Sequence, residues 1–254
     1  MGLEIKMENI LEVKGLNKYF GGLKAINNVS FTIHRGEVSS FIGPNGAGKT
    51  TLFNLITSYL RPDSGAILFE GENIVGLHVS SICRRGLVRS FQRSNVFLGL
   101  SVFENVQAAV ISHRRKSLNL IKQANRLLDI NGEVFQILEE VGLGAKADQS
   151  TTSLAHGDLK ILDIAIALSL NPKMLLLDEP TAGMSPEERY DVINLIISLW
   201  KKRDLTIVFI EHDIDLVFAN SQVIRVLNYG QVIAEGKPGE IRENREVITA
   251  YLGE

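Results

Sequence analysis

Residues 43–50 read GPNGAGKT, and this stretch decides the fold of the chain. It matches the pattern Gly, four residues, Gly, Lys and then Ser or Thr, which defines a phosphate-binding loop. The apolar residues 38–42 before it are typical of a short buried strand, and residues 51–59 after it are typical of an amphipathic helix. Because such loops lie between a strand and a helix, the sequence predicts a protein that binds a nucleoside triphosphate.

Each residue type in this loop has a physical role in holding phosphate. The glycines let backbone N–H groups point at phosphate oxygens, and the helix N-terminus behind them adds partial positive charge. Lys49 supplies a full positive charge, and the Thr50 hydroxyl is placed to ligate Mg²⁺. We therefore expect the following residues to bind the nucleotide: Gly43, Pro44, Asn45, Gly46, Ala47, Gly48, Lys49, Thr50 and Thr51.

Composition narrows the function classes. The 254 residues carry a formal net charge of −2, so no global basic field indicates a nucleic-acid partner, and we expect none. Cys83 is the one cysteine, which excludes disulfides within the chain and fits a reducing compartment. The N-terminus lacks the apolar core of a signal peptide, and no apolar run reaches the 18 residues of a membrane span. We expect a cytoplasmic chain that can still dock onto a membrane protein.

The pattern along the chain predicts one α/β domain. Residues 10–16, 29–33 and 64–73 favour strands, residues 102–111 and 121–141 favour helices, and helix and strand alternate after residue 154. The alternating segments are helices at 158–170 and 186–202, strands at 174–177 and 206–210, a hairpin at 222–235 and a last short helix through Tyr251. Such alternation predicts a largely parallel, doubly wound sheet, and the helical segments before it predict an inserted helical lobe. We expect a single domain over residues 7–254, with the lobe at about residues 93–157.

Residues 174–179 read MLLLDE, a buried strand followed by two carboxylates. An Asp at the end of such a strand holds Mg²⁺ from the side opposite the loop Thr, which makes Asp178 the expected metal residue. Glu179 occupies the next position, where a carboxylate can accept a proton from an attacking water. The phosphate loop and this strand together predict nucleotide hydrolysis.

Two further segments carry a family resemblance. Residues 153–158 read SLAHGD at the start of a helix, and Glu211, His212 and Asp213 follow the strand at 206–210. Together with the loop, the MLLLDE strand and Gln92 after Phe91, they resemble the ATP-binding-cassette (ABC) ATPase family, in the family's order and over nearly the whole chain. The resemblance implies the α/β fold of that P-loop family, a mixed, mainly parallel sheet with an antiparallel β subdomain and an inserted helical lobe. It also implies an ATPase that uses ATP and Mg²⁺.

The same resemblance implies roles for further residues. Phe20 would stack on adenine, although Tyr19 is an alternative. Gln92 would sense Mg²⁺ and the attacking water. His212 would contact the γ-phosphate. In this family the signature segment contacts the γ-phosphate that a second ATPase subunit binds, so that two ATP molecules lie between the subunits. The second subunit would be another copy of this chain or a paralogue. The signature residues here are Leu154, Ala155, His156, Gly157 and Asp158.

The signature departs from the common Leu-Ser-Gly-Gly-Gln. Ala155 replaces the Ser and removes one hydrogen bond to phosphate, His156 replaces the first Gly, and Asp158 replaces the Gln. An acidic residue in the first turn of a helix is usually an N-terminal cap, so we expect Asp158 to cap this helix. Its negative charge would weaken ATP-driven dimerisation.

A finer resemblance is to the ATPase subunits of branched-chain amino-acid importers. It rests on the segment around Gln92 (residues 86–110), the LAHG opening, the PTAGMSP stretch and the closing AYLGE. It implies transmembrane permease subunits as partners, a periplasmic or extracellular solute-binding protein acting indirectly, and a peripheral location on the cytoplasmic face of the cell membrane. Related ATPases for urea or lipid export share much of this pattern. A soluble ABC protein and an ATP-binding module without turnover remain alternatives.

The permease is expected to insert a short helix into a groove near Gln92. Apolar residues directly after Gln92 either line this groove or belong to the core of the helical lobe. These residues are Phe97, Leu98, Leu100 and Phe103.

Overall fold

The computed structural model describes residues 8–90, 96–114 and 123–252. The strands are β1 (Asn9–Phe20), β2 (Leu23–His34), β3 (Val38–Ile42), β4 (Ser64–Phe69), β5 (Glu72–Asn73), β6 (Leu87–Ser90), β7 (Met174–Asp178), β8 (Thr206–Ile210), β9 (Val223–Asn228) and β10 (Gln231–Gly236). The helices are α1 (Lys49–Ile56), α2 (Val79–Arg85), α3 (Val102–His113), α4 (Gln123–Glu140), α5 (His156–Leu168), α6 (Pro186–Arg203), α7 (Ile214–Asn220), α8 (Pro238–Glu243) and α9 (Arg245–Leu252). None of the helices in these ranges is long and apolar enough to cross a membrane.

The strands form two sheets. The order β2-β1-β4-β5 gives an antiparallel sheet, and the order β10-β9-β3-β8-β7-β6 gives a sheet whose strands are parallel except for β10. Because β3, β7 and β8 are adjacent and parallel, their carboxyl ends meet at one edge. The phosphate loop, the two carboxylates and His212 follow these strand ends directly, so the topology brings them together.

The parallel sheet is buried on both faces, as its continuous apolar strands require. Successive side chains of β7 illustrate this, because Met174 and Leu176 pack in one core while Leu175 and Leu177 pack in the other. The first core joins this sheet to α1 and the antiparallel sheet. The second core joins it to α3, α4, α5 and α6, so the helical lobe shares a continuous core with the parallel sheet.

Several predicted boundaries were wrong. Helix α1 begins at Lys49 rather than at residue 51, because Gly48 takes a left-handed conformation with φ of 105° and caps the helix. The strand predicted over residues 64–73, closed by a glycine-containing turn, ends earlier, at Phe69. The turn has positive φ at Glu70 and Gly71 and leads into β5, which pairs with β4. Helix α5 starts at His156 rather than at residue 158.

The sequence analysis missed four elements. Each has at most seven residues, which is too few to show a helical or strand period. They are α2, β6, α7 and α8.

Candidate nucleotide-binding and catalytic site

The phosphate loop lies between β3 and α1, as the sequence predicted. Two glycines in it are required by close contacts and by positive φ. A Cβ atom on Gly43, whose φ is 151°, would lie 2.0 Å from the carbonyl oxygen of Leu227. A Cβ atom on Gly48 would lie 2.6 Å from the carbonyl oxygen of Ala25. Neighbouring strands therefore hold the loop backbone in shape.

The side chain of Lys49 lies inside this loop. Its Nζ donates to the carbonyl oxygens of Gly43 at 2.6 Å and Pro44 at 3.1 Å, and the residue is buried. Burial lowers the pKa of Lys49, and the carboxylates of Glu179 and Asp178 oppose this shift. The ammonium group thus lies within electrostatic reach of both carboxylates and of any phosphate held by the loop.

Asp178 ends β7 inside the molecule. Its Oδ2 accepts a hydrogen bond from Arg89 at 2.5 Å, and the two side chains are 0% and 5% exposed. Arg89 also donates to Asn54 Oδ1 on α1 at 2.6 Å. The other carboxylate oxygen, Asp178 Oδ1, is buried and has no hydrogen-bond partner in the described ranges. A buried carboxylate oxygen of this kind suits a hard cation such as Mg²⁺.

Glu179 lies at the turn after β7, where its φ is 49°. This left-handed conformation is uncommon for a residue with a Cβ atom and is often found at functional sites. The backbone N–H of Glu179 donates to the Ile210 carbonyl at 3.0 Å, which extends the pairing with β8. His212 Nε2 lies 2.9 Å from Glu179 Oε1, so a protonated Nε2 donates to this carboxylate. The structure therefore pairs two residues that the sequence analysis had named separately.

A cavity of about 330 Å³ lies over the loop. Glu179, His212 and Phe20 border it, and the ring of Phe20 is 47% exposed. Phe20 rather than Tyr19 belongs to its wall, and Lys18 Nζ lies 5.6 Å from the centre of the Phe20 ring. The loop residues in the wall are Asn45, Gly46, Ala47, Gly48, Lys49, Thr50 and Thr51.

The signature segment lies outside the wall of this cavity. Ala155 precedes the first turn of α5 and cannot cap it with its side chain. The predicted cap by Asp158 was wrong, because Asp158 lies within the first turn and accepts a hydrogen bond from Lys146 Nζ at 2.6 Å. This ion pair neutralises part of the charge that we expected to oppose dimerisation. His156 Nε2 lies 3.1 Å from the Ala182 carbonyl oxygen, in the loop after Glu179.

A buried lysine of α5 offsets the negative charge near the turn at Glu179. Lys160 is 5% exposed, and burial lowers its pKa. The carboxylates of Asp163, Glu179, Asp178 and Glu211 act in the opposite direction, with Asp163 the strongest of them. Helix α5 therefore carries a cation at one side of the carboxylate cluster.

Sequence reasoning gave no role to three residues that support the site. Arg89 holds Asp178, and the carboxylate of Glu211 binds the loop after Glu179. Tyr251 of α9 forms a hydrogen bond with the backbone of Gly43 in the loop. Burial raises the pKa of the Tyr251 hydroxyl to about 12, and this hydrogen bond partly opposes the shift. A charged residue within an apolar strand, such as Arg89 in LVRS, was a signal that could have been read as half of a buried ion pair. Gln92 lies outside the described residues.

Comparison with known protein families identifies the family of the chain. The family model described as ABC transporter matches residues 26–182, which is more than half of the chain. The chain belongs to the ABC transporter family. A second model, described as branched-chain amino acid ATP-binding cassette transporter, matches residues 231–254.

Curated ABC relatives match over almost their full length. The high-affinity branched-chain amino acid transport ATP-binding protein BraF of Pseudomonas aeruginosa is 41% identical, with 96% of this chain and 98% of BraF covered. LivG of Escherichia coli, with the same description, is 40% identical at the same coverage. The predicted resemblance to these ATPase subunits is confirmed.

Solved ABC cassettes show the same fold. A nucleotide-free ATP-binding cassette from an ABC transporter superposes with a TM-score of 0.84 at 32% identity, over 97% of this chain and 100% of that chain. A dimeric cassette bound to ADP and phosphate superposes with a TM-score of 0.78 at 25% identity, over 90% and 98%. The predicted fold class and the prediction of a nucleotide-binding ATPase are confirmed.

Proposed function

We propose that this chain is the ATP-hydrolysing subunit of an importer of branched-chain amino acids. The substrate class rests chiefly on one observation, that the chain covers 98% of BraF and of LivG at about 40% identity. The match of residues 231–254 to the model described as branched-chain amino acid ATP-binding cassette transporter supports it. The C-terminal match includes α9, which contacts the phosphate loop through Tyr251. These matches favour branched-chain amino acids over the urea and lipid alternatives.

In the proposed mechanism, Lys49 and the loop backbone hold the β- and γ-phosphates of ATP, and Phe20 stacks on adenine. The Thr50 hydroxyl and Asp178 Oδ1, which lacks a hydrogen-bond partner among the residues that the structure describes, would hold Mg²⁺. The ion, when bound, neutralises charge that develops on the phosphates. Gln92 is proposed to sense the ion and the attacking water.

Glu179 is the proposed carboxylate that engages this water, and His212 is proposed to contact the γ-phosphate. Their hydrogen bond at 2.9 Å keeps the two side chains together at the cavity wall. His212 therefore orients Glu179 before the nucleotide site closes. Most of the catalysis would come from positioning and from electrostatic stabilisation.

The active form is proposed to contain two ATPase subunits, either two copies or this chain and a paralogue. The residues 154–158 would contact the γ-phosphate bound by the other subunit, which agrees with their absence from the cavity wall of their own chain. The dimeric relative bound to ADP and phosphate supports this arrangement. Within one subunit, we propose a single domain over residues 7–254 with a helical lobe at about 93–157, since a shared core joins lobe and sheet.

Permease subunits would bind the ATPase at the cytoplasmic face of the membrane, and a solute-binding protein would deliver the substrate to them. Phe97 and Leu98 are 62% and 60% exposed, so they are available for such a contact. Leu100 is half-buried, and Phe103 packs on the core, with its ring 4.9 Å from that of Phe135. We therefore assign the permease contact to Phe97 and Leu98, and Phe103 to the core of the lobe.

Uptake of labelled leucine, isoleucine and valine tests the proposal. Cells that lack this chain should lose high-affinity uptake, and the wild-type chain should restore it. Lys49→Ala serves as the matched control, since it should accumulate without restoring uptake. Normal uptake of all three amino acids in the deleted strain would overturn the substrate assignment, and urea uptake measured in parallel tests the main alternative.

A further inference from the structure

Glu211 is a buried carboxylate next to the site but outside the cavity wall. It follows β8 directly and is 5% exposed. Its Oε1 accepts from the Thr181 backbone N–H at 2.9 Å and from the Thr181 hydroxyl at 2.7 Å. Its Oε2 accepts from the backbone N–H of His212 at 3.2 Å. Each carboxylate oxygen therefore accepts hydrogen bonds from a different loop: Oε1 from the loop after Glu179, and Oε2 from the loop after β8.

These bonds close a ring of contacts around the proposed catalytic pair. Thr181 comes two residues after Glu179, and the Glu179 side chain bonds the His212 ring. The backbone of His212 bonds Glu211, which returns to Thr181. Glu179 itself has a left-handed backbone conformation, which surrounding contacts must maintain.

We propose that Glu211 is a positioning residue for ATP hydrolysis. Its two oxygens hold the Glu179 turn and the His212 backbone at a fixed separation, so that the carboxylate and the imidazole reach the same γ-phosphate. The proposal rests on the catalytic roles given above to Glu179 and His212. A carboxylate is needed because a glutamine offers one acceptor oxygen and one N–H donor group, and cannot accept from both loops.

A second link between the same two loops does not involve Glu211. Arg189 on α6 donates through Nε to the Met184 carbonyl at 3.1 Å and through NH1 to Asp213 Oδ2 at 3.2 Å. It therefore joins the same two loops farther from the catalytic pair. Loss of the Glu211 contact should shift Glu179 relative to His212 without detaching the loop.

The test is Glu211→Gln in the full-length chain, assayed for ATPase kinetics and for binding of a fluorescent ATP analogue. We expect kcat to fall by about ten- to hundredfold, since one buried donor loses its acceptor near the reacting groups. KM and the Kd of the analogue should stay within about twofold, because the phosphate contacts of Lys49 and the loop are untouched. Thr181→Val, which keeps the carboxylate and removes one of its bonds, should lower kcat less and leave KM unchanged.

Thr206→Val is the matched control. Thr206 begins β8 at the opposite end, is 0% exposed, and its hydroxyl oxygen accepts from the Gly36 N–H at 3.0 Å. This variant loses a comparable buried hydrogen bond and should lower Tm without lowering kcat.

A Glu211→Gln enzyme with kcat within about twofold of wild type would overturn the positioning role. Equal changes in kcat for Glu211→Gln and Thr206→Val would do the same, because they would indicate a general loss of stability. If Glu211→Gln does not fold, Thr181→Val decides, and an unchanged kcat overturns the proposal. Glu179→Gln is assayed beside them: if it retains full activity, the catalytic assignment fails, whatever Glu211 does.

Discussion

Replacement of Arg89 by methionine should strongly destabilise the protein. Arg89 and Asp178 form an ion pair whose side chains are 5% and 0% exposed. Methionine keeps much of the apolar length of arginine, but it leaves the Asp178 carboxylate buried without its cation. It also removes the hydrogen bond to Asn54 and the guanidinium placed 5.6 Å from the centre of the Phe53 ring.

The expected loss follows from this burial. Removing one partner of a buried ion pair costs about 3–5 kcal/mol, chiefly because the remaining charge stays desolvated. For a chain of this size, 1 kcal/mol corresponds to about 2–4 °C in Tm. Arg89→Met should therefore lower Tm by roughly 6–20 °C. Exchanging Asp178 for asparagine as well should recover part of the loss, since neither charge of this pair then remains buried without the other.

Thermal and denaturant unfolding followed by circular dichroism would measure this effect. Arg85→Met is the matched control, because Arg85 pairs with Glu72 at the surface, with side chains 39% and 66% exposed. That exposed pair should contribute less than about 1 kcal/mol. A free energy of unfolding for Arg89→Met within about 1 kcal/mol of wild type would refute the reasoning, since the Asp178 charge would then not depend on Arg89.

Three further predictions concern function. Lys49→Ala should abolish high-affinity ATP binding or hydrolysis, because the charge facing the phosphates is lost; a wild-type ATPase rate would exclude the loop as the catalytic site. Glu179→Gln should slow hydrolysis by roughly 10²–10⁴-fold while ATP affinity stays similar or rises. With its partner subunit supplied where needed, this variant should form an ATP-dependent dimer, seen by light scattering as a doubled mass with ATP but not with ADP. Leu98→Glu should stop transport while the isolated subunit still hydrolyses ATP, because Leu98 is 60% exposed; normal transport, or a subunit that unfolds, would count against the permease contact.

Much of the nucleotide site was predictable from the sequence because its chemistry depends on residues that are close along the chain. A phosphate loop needs its glycines, Lys49 and Thr50 within eight positions, and the proposed metal carboxylate, Asp178, ends a buried strand. The family resemblance supplied the proposed roles of Phe20 and His212. Local patterning was weaker for boundaries and short elements, so the start of α1 and the whole of β6 were missed.

The supporting contacts were decided by tertiary structure. Arg89 is 89 positions from Asp178, and Glu211 is 30 positions from Thr181; the parallel order of β6, β7 and β8 makes these pairs neighbours. The role of Asp158 depended in the same way on Lys146, which lies outside its helix. Sequence patterns report how a segment can fold and which groups it offers, whereas the partner of a buried charge depends on which strands lie side by side.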